Sequence, residues 1–310
     1  MNLISTSSPH VRTNESVKVI MMDVLIALMP ALIWAVYIFG INALLITVVS
    51  VLSAVICETA VEAFMKKPIT TGDLSAVVTG ILVAFNVSPA VPIWMPAIGS
   101  AFAILIVKQL FGGIGQNFMN PALGGRAFLL ASWPVAMTTW VTTGTASAVS
   151  GATPLAIMKG GEAVGQLPSV WNMFIGNIGG CIGEVSALAL LIGAAYLLYR
   201  GVITWRIPVS FIGTVVVLTL AFGQNPLNHI FAGGLMLGAF FMATDYSSSP
   251  ITAKGQIIFG IGCGLLTAVI RVFGGYPEGV SYSILLMNVA APLIDKFTKP
   301  RVYGEVAKSV

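Results

Sequence analysis

Apolar residues run through this chain in uninterrupted stretches from Val19 to Phe297. About 20 such residues suffice for one bilayer crossing. Apolar windows predict about ten helices, over 18–38, 41–64, 72–88, 92–110, 122–140, 177–199, 206–223, 227–244, 255–273 and 280–297. The expected fold is therefore an all-α polytopic membrane protein, with 1–310 forming a single membrane domain.

Composition agrees. Hydrophobic residues make up 57% of the chain and charged ones 8%, against about a quarter charged in a soluble domain. Such a chain lacks the polar surface a soluble fold needs. The first eighteen residues are polar and carry no apolar core ahead of a small-residue cleavage site, so no cleavable signal is expected there. Cys57, Cys181 and Cys263 are too far apart for a zinc or iron–sulfur spacing, and small core residues are the expectation. The net charge of +4 does not point to nucleic acid, because the basic residues are scattered at helix ends.

Those basic residues orient the chain. An even number of spans puts both termini on one side, and all fifteen Lys and Arg except Lys159 and Arg271 fall on that side. Positively charged loops stay cytoplasmic, so the expectation is a multi-pass inner-membrane protein with both termini cytoplasmic. The segment 141–177 becomes the one long external loop, and a loop of that length is expected to be functional.

Some stretches echo each other. Lys108-Gln-Leu-Phe-Gly-Gly resembles Arg271-Val-Phe-Gly-Gly, Thr79–Phe85 resembles Gly233–Phe240, and Met119-Asn120-Pro121-Ala122 is loosely matched by Met287-Asn288-Val-Ala-Ala-Pro292. An offset of five helices reverses orientation. Repeats over 18–140 and 177–297 would then have inverted topology, an arrangement that puts substrate and ion sites near the midplane where helices are broken.

Within the long loop stands Ser150-Gly151-Ala152-Thr153-Pro154. A more specific stretch precedes it, from Pro92-Ile-Trp94-Met-Pro-Ala-Ile-Gly99 through Lys108-Gln-Leu-Phe-Gly-Gly-Ile-Gly-Gln-Asn117-Phe-Met-Asn120-Pro121-Ala-Leu-Gly-Gly-Arg126-Ala-Phe128. Both resemble the Rnf D and Nqr B family of membrane subunits, and the likeness extends loosely from the first span to the last. Chain length favours the Rnf D branch.

The resemblance implies that the Thr153 hydroxyl carries FMN through a phosphoester, installed from FAD by a flavin transferase, with Ser150, Gly151 and Ala152 as the attachment motif. The family commonly has an Asp three residues before that Ser; here the position is Ser147. A threonine hydroxyl becomes a usable nucleophile once an enzyme supplies a base, and Pro154 is expected to limit helix formation at the acceptor. The resemblance also implies a noncovalent riboflavin or second flavin, and a complex moving electrons between ferredoxin and NAD while transporting Na⁺ or H⁺. Other membrane and peripheral subunits are then partners, and the nucleotide and ferredoxin sites belong to them, since this chain lacks a Gly-rich dinucleotide motif.

Charges within spans are functional candidates. Glu58 and Glu62, four apart, share a helix face and suit a cation path or a structural pair neutralised by Lys66 or Lys67. Asp73 and Asp245 cap two spans and join the candidate ion path, with Asp73 also readable as a helix N-cap. Arg126, within a span, is expected to snorkel to water or to pair with a carboxylate or a flavin phosphate. No residue is expected to ligate a metal. The competing reading is a solute or ion transporter of inverted-repeat fold without redox chemistry, which leaves the loop motif without a purpose.

Overall fold

The structure is a computed structural model that describes residues 16–140, 152–160, 166–275 and 278–300. All regular secondary structure among them is helical. The long helices are α1 (Val17–Phe39), α2 (Ile41–Phe64), α13 (Ala253–Phe273) and α14 (Val280–Thr298), each long and apolar enough to cross a bilayer. Between them lie α3 (Ser75–Phe85), α4 (Trp94–Phe102, running on as a π-helix over Ala103–Gln109), α5 (Pro121–Ser132), α6 (Pro134–Met137), α7 (Pro154–Gly160), α8 (Val170–Ile175), α9 (Ala187–Tyr199), α10 (Arg206–Ala221), α11 (Pro226–Phe231) and α12 (Leu235–Leu237, running on as a π-helix over Gly238–Met242).

Several helix starts follow directly from local chemistry. Asn120 and Asn225 each precede a proline, and each side chain accepts from the backbone N–H two residues on, at 3.0 Å in both cases. The carboxamide satisfies an orphan N–H of the first turn, and proline at the first helical position loses no bond that the helix needs. Ser16, Ser186 and Thr252 cap α1, α9 and α13 in the same way.

Packing brings α1 against α9, α2 against α3 and α4, and α10 against α13, which in turn contacts α14. In lipid the hydrophobic effect does not drive helices together, so small residues that allow close approach matter most. At Gly80 of α3 a Cβ would lie 2.7 Å from the Val51 Cα of α2, so that contact admits only glycine. Helix α3 is enclosed, with every residue but Val77 buried.

Several expected spans are broken. Residues 72–88 form a 3₁₀ turn (Thr71–Asp73) and the short α3, the span over 122–140 stops at Ser132 before a one-turn α6, and 227–244 divides at Ala232–Gly234. The largest departure is 177–199, where helix begins only at Ala187. The preceding stretch holds Gly176, Gly179, Gly180 and Gly183, each costing about 1 kcal/mol in a helix. Its backbone instead bonds the end of α3, with Ile182 N–H donating to Val87 O and Gly183 N–H to Phe85 O, both at 3.0 Å. Non-helical backbone at membrane depth is tolerated when protein satisfies it in this way. The long loop is also not structureless, since it contains α7 and α8.

Candidate functional site

Thr153 is 5% exposed. Its side-chain oxygen accepts from Ala156 N–H at 3.2 Å, and its carbonyl accepts from Ile157 N–H at 3.0 Å. It therefore caps α7, with Pro154 as the first helical residue. Pro154 was expected to limit helix formation; it starts a helix instead, because a proline ring is compatible with the first turn. Ala152 is half-buried beside it. Ser150, Gly151 and Ser147 lie outside the described residues.

Thr153 faces a narrow cleft shared with Gly179, Gly180, Glu184, Gly233 and Glu278. A cavity of about 320 Å³ adjoins it, lined by Arg126, Trp140, Ala152, Ala156, Glu278 and Tyr282 among others. Glu278 lines both spaces, so Thr153 and Arg126 belong to one site. The larger space is within the usual size of small-molecule pockets.

Arg126 is the ionic hub of this site. Its Nη1 donates to Asn86 Oδ1 at 2.8 Å and to Glu184 Oε1 at 3.1 Å, while Nη2 donates to Glu278 and approaches Cys181 Sγ at 3.7 Å. Cys181, Glu184 and Glu278 bring one ligand atom each within 4.8 Å of one another, and the guanidinium contacts all three. Of the two partners expected for Arg126, the structure supplies the carboxylate. Buried ion pairs of this kind persist because removing either partner strands the other in low dielectric.

Arg271 lies nearby and is 4% exposed. Its Nη1 and Nη2 donate to His229 O at 2.5 Å and Ala232 O at 3.1 Å, bracing the break between α11 and α12. The break turns at Gly233, where φ is +65°. A Cβ there would lie 2.5 Å from Leu155 Cδ1 of α7. A Cβ on Gly234 would lie 2.5 Å from Glu184 Oε1.

The remaining predicted carboxylates form a second constellation. Glu58 and Glu62 are both buried on α2. Lys108 Nζ donates to Glu58 Oε1 at 2.5 Å and to Ser75 Oγ at 2.6 Å. Gln109 Nε2 reaches Glu58 at 3.0 Å and Glu62 at 3.5 Å. Thr70 donates to Glu62 through both its N–H and its hydroxyl. The neutralising lysine is thus Lys108, fifty residues away, not the neighbouring Lys66 or Lys67. Asp73 is not the N-cap of α3, which is Leu74; from the preceding 3₁₀ turn its side chain accepts from Ser75 N–H at 2.8 Å.

Asp245 stands apart from that group, accepting from the Ser247, Ser248 and Asn117 side chains at 3.1, 2.7 and 3.5 Å. What joins it to the others is a cavity of about 410 Å³, largely apolar, on which Ser75, Lys108, Asn117, Asn120 and Asp245 all border. So the four carboxylates do not form one cluster.

Sequence reasoning overlooked Glu278, Arg271 and the role of Cys181. Glu278 follows the sequence Gly-Gly-Tyr-Pro and reads as a solvated loop acid. Arg271, counted among the outer-side basic residues, is enclosed. No local signal distinguishes either from a surface charge.

The chain matches the family model described as NQR2, RnfD, RnfE over residues 4–304. It is 57% identical over 306 residues to the D subunit of the Na⁺-translocating ferredoxin:NAD⁺ oxidoreductase complex of Acetobacterium woodii, covering 98% of this chain and 96% of that one. It is 50% identical over 315 residues to the D subunit of the proton-translocating ferredoxin:NAD⁺ oxidoreductase complex of Clostridium ljungdahlii, covering 96% and 95%. A third relative, the D subunit of the ion-translocating oxidoreductase complex of Citrobacter koseri, is 38% identical over 343 residues, covering 96% and 98%. The likeness first carried by the Lys108–Phe128 stretch and the loop motif thus extends along the chain, and the protein belongs to the NQR2, RnfD, RnfE family.

Proposed function

We propose that this chain is the D-type membrane subunit of an ion-translocating ferredoxin:NAD oxidoreductase and carries FMN on Thr153 as a phosphoester. The observation that supports this best is the position of Thr153, which lines the cleft that shares Glu278 with a 320 Å³ cavity. FMN held there would supply one- and two-electron chemistry, while the protein positions it and tunes its environment. The attachment forms one bond, from Thr153 Oγ1 to the FMN phosphorus of FAD, and releases AMP, with the hydroxyl proton passing to a base of the transferase. Because Thr153 is buried in the folded chain, attachment precedes docking of the 152–160 segment.

The largely apolar 410 Å³ cavity with Asn117, Asn120 and Asp245 on its wall is the proposed seat of the second, noncovalent flavin. Glu58, Glu62, Asp73 and Asp245 are the proposed ion path for Na⁺ or H⁺. Residues 18–140 and 177–297 are read as inverted repeats; Lys108 and Arg271, both buried, end the matched helices α4 and α13. In this reading both termini are cytoplasmic and the flavin segment is on the outer side.

The test is co-expression with a flavin transferase, followed by in-gel flavin fluorescence and intact mass. A fluorescent band heavier by FMN less one water, with a dark Thr153→Ala lane, is expected. A dark wild type alongside a transferase active on a known acceptor overturns the reading. Denatured Thr153→Ala protein should still release the noncovalent flavin, and an empty supernatant would remove the second site.

A further inference from the structure

Arg271 is the one residue among the described buried Lys and Arg whose charge meets no carboxylate. Lys108 has Glu58, and Arg126 has Glu184 and Glu278. Arg271 has only two backbone carbonyls, and its Nε has no partner. A guanidinium that is 4% exposed has given up its hydration, and carbonyl dipoles return only part of that free energy. Buried charges are found paired for this reason. The nearby carboxylate, Glu184, is already in contact with Arg126.

The surroundings of Arg271 indicate where an anion would come from. The carbonyls it holds, of His229 and Ala232, lie just ahead of Gly233, and a Cβ on Gly233 would be 3.5 Å from Arg271 Nη2 and 2.5 Å from Leu155 Cδ1. Leu155 is two residues beyond Thr153, and Gly233 and Thr153 line the same cleft. Farther along α7, Lys159 donates to the carbonyl of Gly274, three residues past Arg271. Helix α7 therefore meets the α11–α12 break through Leu155 and the end of α13 through Lys159, with Thr153 at its start lining the cleft.

We propose that Arg271 is the counter-charge for the phosphodiester on Thr153, a positioning residue for the flavin, and that Arg126, already matched by two carboxylates, does not fill that role. This rests on the proposed attachment at Thr153. In the unmodified chain Arg271 has no carboxylate in direct contact, and the charge of Glu184, which is bonded to Arg126, reaches it only at longer range. Modification brings a single negative charge into the adjacent cleft and raises the stability of the fold.

The test compares the full complex purified from cells with and without the flavin transferase. Thermal unfolding and in-gel fluorescence are measured for wild type, Arg271→Gln, Arg271→Lys and Arg126→Lys, with the ³¹P resonance of the modified forms recorded alongside. We expect a flavin-dependent rise of several degrees in wild type, less than half of it in Arg271→Gln, and most of it in Arg271→Lys. The ³¹P resonance should move in Arg271→Lys and stay in place in Arg126→Lys. If Arg271→Gln does not assemble, the ³¹P comparison of the two lysine variants decides the matter. An equal flavin-dependent rise in wild type and Arg271→Gln, or a resonance that moves only in Arg126→Lys, overturns the counter-charge while leaving the attachment standing. A dark wild type overturns both.

Discussion

The backbone N–H of Asn120 donates to the side-chain oxygen of Asn288 at 3.2 Å, joining the start of α5 to the middle of α14. Each asparagine also uses its amide NH₂ on a distant carbonyl, Asn120 on Met242 at 3.2 Å and Asn288 on Ser248 at 2.9 Å. Two residues from similar short motifs thus tie together four segments, and both side chains are buried.

Replacing Asn288 with Ala should leave the Asn120 N–H and the Ser248 carbonyl unpartnered. Each stranded buried group costs about 1–3 kcal/mol, and Asn288 is 1% exposed. A lower melting temperature in detergent, with the long helices retained by circular dichroism, is expected. An unchanged melt would show that the junction contributes nothing to stability.

The Lys108–Glu58 pair should behave non-additively. Lys108→Met strands a carboxylate whose second oxygen already lacks a partner, and breaking a buried pair costs about 3–5 kcal/mol. The double variant Lys108→Met/Glu58→Gln should recover much of that loss. Equal damage from the single and double variants in thermal unfolding would argue against the pairing.

Around Arg126 the two carboxylates should differ. The Glu184 side chain is 2% exposed and that of Glu278 18%, so water reaches Glu278 more readily and screens its loss. Glu184→Gln is predicted to lower the melting temperature more than Glu278→Gln. The reverse order would mean that Glu278 carries the hub.

Gly233→Ala tests the link between the α11–α12 break and the flavin segment. The left-handed conformation costs an L-residue about 1–2 kcal/mol, and the new methyl group would press on Leu155. Flavin incorporation at an intact Thr153 should fall by several fold, read as fluorescence per band. Full incorporation would separate Gly233 from the site.

Much of this protein was legible in the apolar runs, because a bilayer demands about 20 such residues per crossing whatever they pack against. Helices α1, α2, α13 and α14 match the expected spans to within a residue or two. The shorter helices were mis-bounded where glycine or proline breaks an apolar window, at Pro134 and most clearly at 176–186. A window average registers Gly as neutral, whereas the helix registers its backbone entropy.

The candidate carboxylates, Arg126 and Thr153 could be chosen from residue type and local spacing, and the family from the stretch between Pro92 and Phe128. Partnership could not. That Lys108 rather than Lys66 neutralises Glu58, that Glu278 reaches Arg126 across 152 residues of chain, and that Arg271 is enclosed without a carboxylate depend on which helices come together. The sequence by itself determined the solvent, the helical class and the charged groups at stake. Only the tertiary structure decided how those charges are compensated, because a Coulomb energy depends on distance and local dielectric, and both are set by packing between segments far apart in the chain.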